Sequence, residues 1–220
     1  MAGQGPKIAW RDGVPISQRF DDPYYSLGGG LAEARHVFLA GNDLPARFRP
    51  GFHIGEIGFG TGLNCLAALI AWRQSGTAGA LRFTSFEAFP LEPSEIRQAL
   101  GVFDEVAPLI DPFLACLSGA PGALPDLDLT LIGGDARARV PEWDDEADAW
   151  FLDGFSPAKN PELWDPSLLA AVGRKTRPGG SAATYSAAGH VRRALTEAGF
   201  EVTRAPGYGH KRHMTRALLR

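Results

Sequence analysis

Hydrophobic and polar residues alternate with two different periods along the chain after about residue 30. Short apolar runs predict strands, and the stretches between them carry apolar residues at every third or fourth position, which predicts helices. The strands are expected at 52–56, 81–87, 127–135, 149–153, 181–186 and 200–205, with a last strand that ends at residue 219. The helices are expected at 31–40, directly after residue 64, and at 93–100, 108–117, 166–176 and 188–198. This alternation predicts an α/β fold with a mostly parallel central sheet of about seven strands and helices on both faces.

The first 50 residues differ from this pattern. Residues 1–28 lack helical periodicity and are rich in aromatic side chains, so we expect an extended arm that packs on the rest of the chain. A run of three glycines separates this arm from the helix at 31–40, which is expected to stop at Gly41-Asn42. We therefore expect one globular unit, with an N-terminal arm and helix at 1–50 packed on a core domain at 51–220.

Length and composition are those of a folded domain. The 220 residues are 45% hydrophobic and 21% charged, so the chain belongs neither to the disordered nor to the membrane-embedded class. No apolar run approaches the ~20 residues that a membrane-spanning helix needs. The first residues also lack the apolar stretch of a signal peptide. The simplest expectation is a cytoplasmic protein with no membrane partner.

Charge is distributed unevenly along the sequence. The segment from Arg174 to the C-terminus carries ten Lys and Arg residues against two Glu, although the net charge of the whole chain is −3. A basic final quarter on an acidic body indicates a polyanionic partner. Helix faces that are exposed to solvent would give the same pattern, so charge alone leaves both explanations open.

A glycine-rich stretch follows the strand at 52–56. Its glycines, Gly58, Gly60 and Gly62, have the spacing Gly-x-Gly-x-Gly, which differs from the Gly-x-Gly-x-x-Gly of dinucleotide-binding folds. Glu56 lies just before the first glycine, and a helical pattern begins after Asn64. This arrangement is typical of the nucleoside-binding turn of an S-adenosylmethionine (SAM) methyltransferase. The alternative is a glycine-rich turn that only packs a helix on the sheet.

Acidic residues follow three further predicted strands. Glu87 ends the second strand, Asp135 follows the third and Asp153 ends the fourth. The carboxyl ends of parallel strands meet at one edge of the sheet, which is where ligands bind in open α/β folds. Glu87 is suited to accept hydrogen bonds from both ribose hydroxyls, or is a solvated acid at a strand end. Asp135 is suited to an adenine amine, or caps the next turn.

The segment 154–164 leaves the carboxyl end of the fourth strand and is too rich in proline for a helix or a strand. It carries aromatic, amide and basic side chains next to Asp153. Since it starts at the ligand-binding edge of the sheet, we interpret it as a rigid platform for a substrate.

These stretches resemble the methyltransferase half of the MnmC family of tRNA-modifying enzymes and its stand-alone relatives. The resemblance covers about residues 10–214 and is most specific at 152–161 and 207–212. It also includes Phe20–Ser26, Val37–Asn42, Glu56–Asn64, Ser85–Leu91, 150–164 and 188–193. It implies a Rossmann-like, SAM-dependent methyltransferase fold. The implied reaction transfers a methyl group from SAM to the primary amine of a 5-aminomethyl-(2-thio)uridine at the tRNA wobble position.

The resemblance also implies roles for individual residues. The SAM contacts would come from Glu56, Gly58, Gly60, Gly62, Asn64, Glu87, Asp135 and Asp153. Asp153 would also be the catalytic residue, either as a general base or as a group that only orients the amine. The implied substrate contacts come from Tyr24, Phe155, Lys159, Asn160, Arg192, Arg193, Lys211 and Arg212.

Two kinds of substrate contact are expected within that set. Tyr24 and Phe155 are candidates to stack on the flipped uridine, although packing of the arm is the simpler explanation for Tyr24. The five basic residues would contact phosphates of the anticodon stem-loop. Arg192 and Arg193 are also explained as ordinary solvated charges on a helix.

The chain departs from the bifunctional members of the family because it ends at Arg220, before any oxidase domain. We therefore expect no oxidase activity, no FAD and no metal, and methylation of an aminomethyl group that is already formed. Two alternatives remain. One is a SAM methyltransferase that acts on a small-molecule amine, and the other is a non-catalytic relative that binds nucleic acid.

Overall fold

The computed structural model describes residues 7–26 and 29–220. The arm contains three short strands, β1 (Ile8–Arg11), β2 (Val14–Ser17) and β3 (Asp22–Pro23), which pair antiparallel in that order. The sequence analysis expected an extended arm and missed this hairpin. Its signal was the pair Asp12-Gly13, because both residues have positive φ (49° and 79°), as a two-residue hairpin turn requires.

The helix predicted at 31–40 is present but is not a uniform α-helix. It begins as α1 (Gly30–Ala34), continues as a π-helix (Arg35–Leu39) and ends as a 3-10 turn (Ala40–Asn42). The predicted stop at Gly41-Asn42 is wrong by one to two residues, since Asp43 adopts the left-handed conformation that ends the helix. The Asn42 side chain is buried and donates to the Phe38 carbonyl at 2.9 Å, within the helix.

The remaining strands and helices alternate as predicted, but the helix at Ala136–Glu142 was not predicted. The strands are β4 (His53–Ile57), β5 (Leu81–Glu87), β6 (Leu127–Gly133), β7 (Ala147–Leu152), β8 (Thr176–Thr184), β9 (Phe200–Pro206) and β10 (His213–Leu219). The helices are α2 (Leu63–Ser75), α3 (Pro93–Leu100), α4 (Ile110–Leu117), α5 (Ala136–Glu142), α6 (Pro166–Arg174) and α7 (Gly189–Glu197). Short 3-10 turns cover Ala107–Leu109 and Pro161–Trp164. The α/β prediction is therefore confirmed.

These seven strands form one sheet in the order β6-β5-β4-β7-β8-β10-β9. The pairs from β6 through β8 are parallel, and β10 runs antiparallel to both of its neighbours. The chain reverses its direction of travel across the sheet at β4, between β5 and β7. The carboxyl ends of these strands therefore frame the crevice in which open α/β sheets bind ligands.

Strand β7 separates two hydrophobic layers. Its residues are all buried, and Trp150 and Phe151 point to opposite faces, as consecutive strand residues must. Phe151 packs with Phe38 and Phe83 in the layer that contains α2. Trp150 packs in the layer that contains α6 and α7. A strand buried on both faces explains the continuous apolar run at 149–152.

Strand β8 starts five residues before the predicted start at residue 181. Strand β8 already begins at Thr176, and its pairing with β7 shifts between Ala147↔Thr176 and Ala149↔Ser181. The intervening residues bulge out, with Gly179 at φ 74°. Within residues 7–26 and 29–220, no helix has the length and apolarity that crossing a membrane requires. The division of the chain at residue 50 stays a prediction.

Candidate active site

A cavity of about 1100 Å³ opens at the carboxyl edge of the sheet. Its floor comes from the residues that follow β4, β5, β6, β7 and β8. The arm, α1 and the loop between β9 and β10 form the remaining walls. The cavity therefore collects segments from both ends of the chain around the edge that the sequence analysis selected.

The glycine turn after β4 contributes to this cavity unequally. Gly58 and Gly60 lie in the wall and have φ of 89° and 53°. A Cβ on Gly58 would lie 2.2 Å from the Asp153 carbonyl oxygen, so the close approach of these two strand ends requires glycine. Gly62 lies outside the wall, where a Cβ would meet the Phe113 ring at 2.5 Å. Gly62 therefore serves the packing of α2 against α4.

Glu87 is held by backbone N–H groups and faces the cavity. Its two carboxylate oxygens accept from Gly60 N–H at 3.1 Å and Phe89 N–H at 2.7 Å. The bond to Gly60 ties the carboxylate to the glycine turn. Asp135 also lines the cavity, and it caps α5 by accepting from Arg137 N–H at 2.9 Å. Asp135 therefore caps the element that follows it, as the alternative interpretation expected, and it also borders the cavity.

Glu56, Asn64 and Asp153 form a hydrogen-bonded chain beneath the cavity. The Asn64 amide donates to Glu56 Oε1 at 3.0 Å and to Asp153 Oδ2 at 2.6 Å. Glu56 Oε2 accepts from the Ser85 hydroxyl at 2.7 Å, and the side chain has no exposed surface. Burial raises the pKa of Glu56 well above its usual range. Glu56 therefore reaches the cavity only through Asn64, which lies in the wall.

Asp153 lines the cavity beside the glycine turn. Burial raises its pKa to about 7, while the hydrogen bond from Asn64 opposes that rise. A carboxyl group with this pKa exchanges its proton near neutral pH, which is the property that a general acid or base needs. The hydrogen bond from Asn64 fixes the position of the Asp153 carboxyl group, and its raised pKa allows it to exchange a proton near neutral pH.

Aromatic rings line the mouth of the cavity on the side of the arm. Phe155 stacks on Phe20 with ring centroids 4.9 Å apart, and Tyr24 meets Phe155 edge-on at 5.1 Å. The Arg19 guanidinium lies 4.4 Å from the centroid of the Phe89 ring. Tyr24 both packs within the arm and faces the cavity, so both of its predicted roles are compatible with its position.

The proline-rich loop after Asp153 is fixed by the arm. Asp22 accepts from Ser156 N–H at 2.8 Å, and the Lys159 ammonium is 3.4 Å from Asp22 and bonded to the Asp21 carbonyl. Lys159 therefore binds the arm and does not line the cavity. Asn160 is buried and does line it.

The structure separates the other predicted basic residues. Lys211 lies in the cavity wall, where it pairs with Glu33. Arg212 is exposed beside it. Arg192 and Arg193 lie on α7 along a separate shallow groove, outside the cavity wall. These five residues therefore do not form one basic surface at the cavity.

The cavity residues to which the sequence analysis assigned no role include Phe20, Glu33 and Tyr185. Tyr185 directly follows β8, so the rule that placed Glu87 and Asp153 at the carboxyl edge would also have found it. Glu33 gave no such signal, because it lies on a helix that precedes the sheet in the chain.

Comparison with known proteins gives consistent matches. Residues 117–220 match a family of S-adenosyl-L-methionine-dependent methyltransferases. The chain is 45% identical over 232 residues to the tRNA 5-methylaminomethyl-2-thiouridine biosynthesis bifunctional protein MnmC of Chromobacterium violaceum, which aligns with 100% of this chain. The MnmC protein of Pseudomonas aeruginosa strain UCBPP-PA14, which has the same full name, is also 45% identical, over 96% of this chain. The chain spans about a third of the length of these relatives (35% and 34%).

Solved structures agree with these sequence matches. A spermidine synthase in complex with a transition-state analogue superposes with a TM-score of 0.55 at 13% identity, which shows a shared fold. MnmC2 from Aquifex aeolicus superposes with a TM-score of 0.75 at 30% identity, over 100% of this chain and 72% of that one. The chain therefore belongs to the MnmC-related family of S-adenosyl-L-methionine-dependent methyltransferases.

Proposed function

We propose that this protein methylates the primary amine of 5-aminomethyl-(2-thio)uridine at the wobble position of tRNA, giving 5-methylaminomethyl-(2-thio)uridine. The observation that carries the proposal is the position of Asp153 between the glycine turn and the aromatic mouth of one cavity. The names of the 45% identical relatives supply the substrate class.

The residues of the cavity fit SAM. The Glu87 carboxylate borders the glycine turn and offers two oxygens, which suits the two hydroxyls of a ribose. The backbone of Gly58 and Gly60 is bare of side chains on the cavity wall. Asp135 would lie by the adenine, and Asn64 would border the sulfonium end. Glu56 and Gly62 would shape this pocket from behind.

The chemistry requires an amine with a free lone pair. When bound, SAM supplies a methyl group on a positively charged sulfur, and the carbon–sulfur bonding pair stays with sulfur as nitrogen bonds the methyl. An alkylammonium is mostly protonated near neutral pH, so its proton must leave first. The Asp153 carboxylate accepts this proton or orients the neutral amine, while the bond from Asn64 holds the carboxylate in place. Positioning at near-attack distance contributes several kcal/mol to such a displacement.

The aromatic mouth suits a flipped base. Single-stranded RNA bases are bound by stacking and edge contacts, and Tyr24, Phe155 and Phe20 present rings there. Asn160 offers an amide at the same wall. Arg212, Arg192 and Arg193 are candidates for phosphates of the anticodon stem-loop. Lys159 and Lys211 would have to leave their present acidic partners to join them.

The proposed reaction uses neither FAD nor a metal ion, and the oxidative step that forms the aminomethyl group lies outside it. The tRNA would arrive with this group already made. The proposal does not involve a membrane.

Incubation with labelled SAM and tRNA that lacks the terminal methyl tests the proposal, with nucleosides analysed afterwards. We expect label in 5-methylaminomethyl-(2-thio)uridine, and none with tRNA that carries the carboxymethylaminomethyl group. Label on free amines but not on tRNA would favour the small-molecule alternative. Absence of heat in a calorimetric titration with SAM would favour a non-catalytic nucleic-acid-binding protein.

A further inference from the structure

A charged pair lies in the cavity wall close to Asp153. The Lys211 ammonium is 2.6 Å from Glu33 Oε1 and 4.0 Å from the centroid of the Tyr185 ring. Glu33 is on α1, Tyr185 follows β8, and Lys211 is in the loop between β9 and β10. Three distant segments of the chain thus converge at one point, and all three side chains line the cavity.

Tyr185 connects this pair to the cavity floor. Its hydroxyl donates to the Gly154 carbonyl at 2.7 Å, and Gly154 follows Asp153 directly. Burial raises the pKa of Tyr185 far above its ordinary value, with Asp153, Asp22 and Glu33 adding to the rise. The hydroxyl therefore stays neutral and keeps its donor role. The ring supports the Lys211 ammonium from one side while Glu33 binds it from another.

The charges that face Asp153 come from several elements. Glu56 on β4 acts through Asn64, Glu33 approaches from α1, and Lys211 approaches from the loop between β9 and β10. Glu33 raises the pKa of Asp153 and Lys211 lowers it, both less strongly than burial and the Asn64 bond act. Lys211 is the cation among these groups. Without it, Asp153 would share its surroundings with two further carboxyl groups.

We propose that Glu33 and Lys211 are a positioning pair for the reaction proposed above, because together they place a compensated charge beside Asp153. Lys211 keeps the Asp153 carboxylate available to accept the proton of the acceptor amine, and Glu33 prevents the lysine from holding that carboxylate as its own ion pair. In this step the N–H bond of the substrate ammonium breaks and the proton moves to Asp153 Oδ. The nitrogen keeps the electron pair.

The test is an NMR titration of the Asp153 side-chain ¹³Cγ in the ligand-free protein, with the signal identified by its absence in Asp153→Asn. Lys211→Met should raise the titration midpoint by about half a pH unit to one pH unit, since it leaves Glu33 uncompensated. Glu33→Gln should lower the midpoint by a similar amount, because it leaves the lysine free. The double variant should return close to the parent. Lys7→Met, at an exposed lysine outside the cavity wall, is the matched control.

The opposite signs separate an electrostatic role from a structural one. The proposal would be overturned if the titration midpoint of Asp153 were unchanged in both single variants, or if it shifted in the same direction in both. Lys211→Gln replaces Lys211→Met if the latter does not fold, and Lys211→Arg should titrate like the parent. The titration needs neither SAM nor tRNA, so it is read independently of the proposed function. If the parent protein methylates tRNA, the acidic limb of its plot of kcat against pH should shift in each variant in the same direction as the titration midpoint of Asp153. Methylation without such a shift would overturn the positioning role of Glu33 and Lys211 but not the proposed function.

Discussion

Carboxylates at the two edges of the central sheet have different hydrogen-bond and ion-pair partners. At the amino edge, Asp148 is ion-paired with Arg49 at 2.6 Å and Arg177 at 2.9 Å, and it accepts from His53 N–H at 2.8 Å. At the carboxyl edge, Glu87 and Asp153 accept from N–H donors that carry no charge. Neither has an ion-pair partner within 4 Å among the residues that the structure describes.

The difference shows how the fold divides its polar residues between stability and chemistry. A carboxylate that is paired with two arginines is fully compensated and offers nothing to a ligand. A carboxylate that is held by amide donors keeps a fixed position but remains able to bind hydroxyls or exchange a proton. The cost of burying it appears as the raised pKa of Asp153. The ion-paired Asp148 therefore belongs to the structural edge, whereas Glu87 and Asp153, which are held by neutral donors, belong to the candidate active edge.

Substitution of Asp153 should give the largest effect on activity. Asp153→Asn keeps the shape and the contact with Asn64 but removes the group that accepts the proton. We expect kcat to fall by about 10²- to 10⁴-fold. The SAM dissociation constant, measured by calorimetry, should change by less than about tenfold. Methyl transfer at the parental rate would remove Asp153 from the catalytic role.

Substitution of Asp148 should give the largest effect on stability. Asp148→Asn leaves Arg49 and Arg177 beside a neutral group, and breaking a buried ion pair in this way costs about 3 kcal/mol. Urea unfolding should show this loss, while kcat at a temperature where the variant is folded should stay close to the parent. Asp111→Asn is the control, since its pair with Arg97 is exposed and should contribute less than about 1 kcal/mol. Equal effects from the two variants would contradict the division between the edges.

The sequence predicted the carboxyl edge better than the amino edge. Strand β5 was predicted at its observed bounds, and Glu87 and Asp153 were predicted at the edge because strand ends in a parallel sheet can be located from apolar runs alone. The network around Asp148 joins residues from four separate segments, including the bulge at the start of β8. No local pattern encodes such a network, so Arg177 was counted only as part of the basic final quarter and Arg49 was assigned no role.

The same limit applies to the residues around the cavity. Glu33 and Lys211 are 178 residues apart in the chain, and only the fold brings them together. Lys159 was interpreted as a phosphate contact. Its ion pairs with Asp21 and Asp22 could not be predicted, because they depend on how the arm crosses the proline-rich loop. Gly62 belongs to a motif that suggests one role for all of its glycines, but its contact with Phe113 depends on where α4 packs.

Substitution of Glu87 should affect ligand affinity more than turnover. Glu87→Gln retains the side-chain volume but removes the negative charge and replaces one acceptor oxygen by an NH₂ donor. A hydrogen bond to a charged group contributes about 1.5–3 kcal/mol. We expect SAM to bind about tenfold or more weakly, with kcat at saturating SAM changed by less than about threefold. Glu142→Gln, at an exposed residue on α5, should leave affinity unchanged. An unchanged affinity in Glu87→Gln would exclude this carboxylate from the ribose contact.

The smallest expected effect is on the pH dependence of stability, where the two edges should act with opposite signs. Burial lowers the pKa of His53 at the amino edge to about 4, so its neutral form stabilises the fold above pH 6.5 and this contribution is lost as the pH falls toward 4. Asp153 has a raised pKa, so its contribution is present below pH 4 and is lost as the pH rises toward 7. Unfolding free energies from urea titrations at pH 5 and pH 7 distinguish the two.

His53→Gln keeps a polar partner for the Thr84 hydroxyl and should reduce the gain in stability from pH 5 to pH 7 by about 1 kcal/mol. Asp153→Asn should increase that gain, since it removes a group whose ionisation opposes folding in this range. Glu56 shares the sign of Asp153, and the Asp153 charge contributes to its raised pKa. Asp153→Asn therefore also lowers the pKa of Glu56, which acts in the same direction as the loss of Asp153 itself. If the unfolding free energy changed equally between pH 5 and pH 7 in both variants, the two edges would not differ in the way that their charges are compensated.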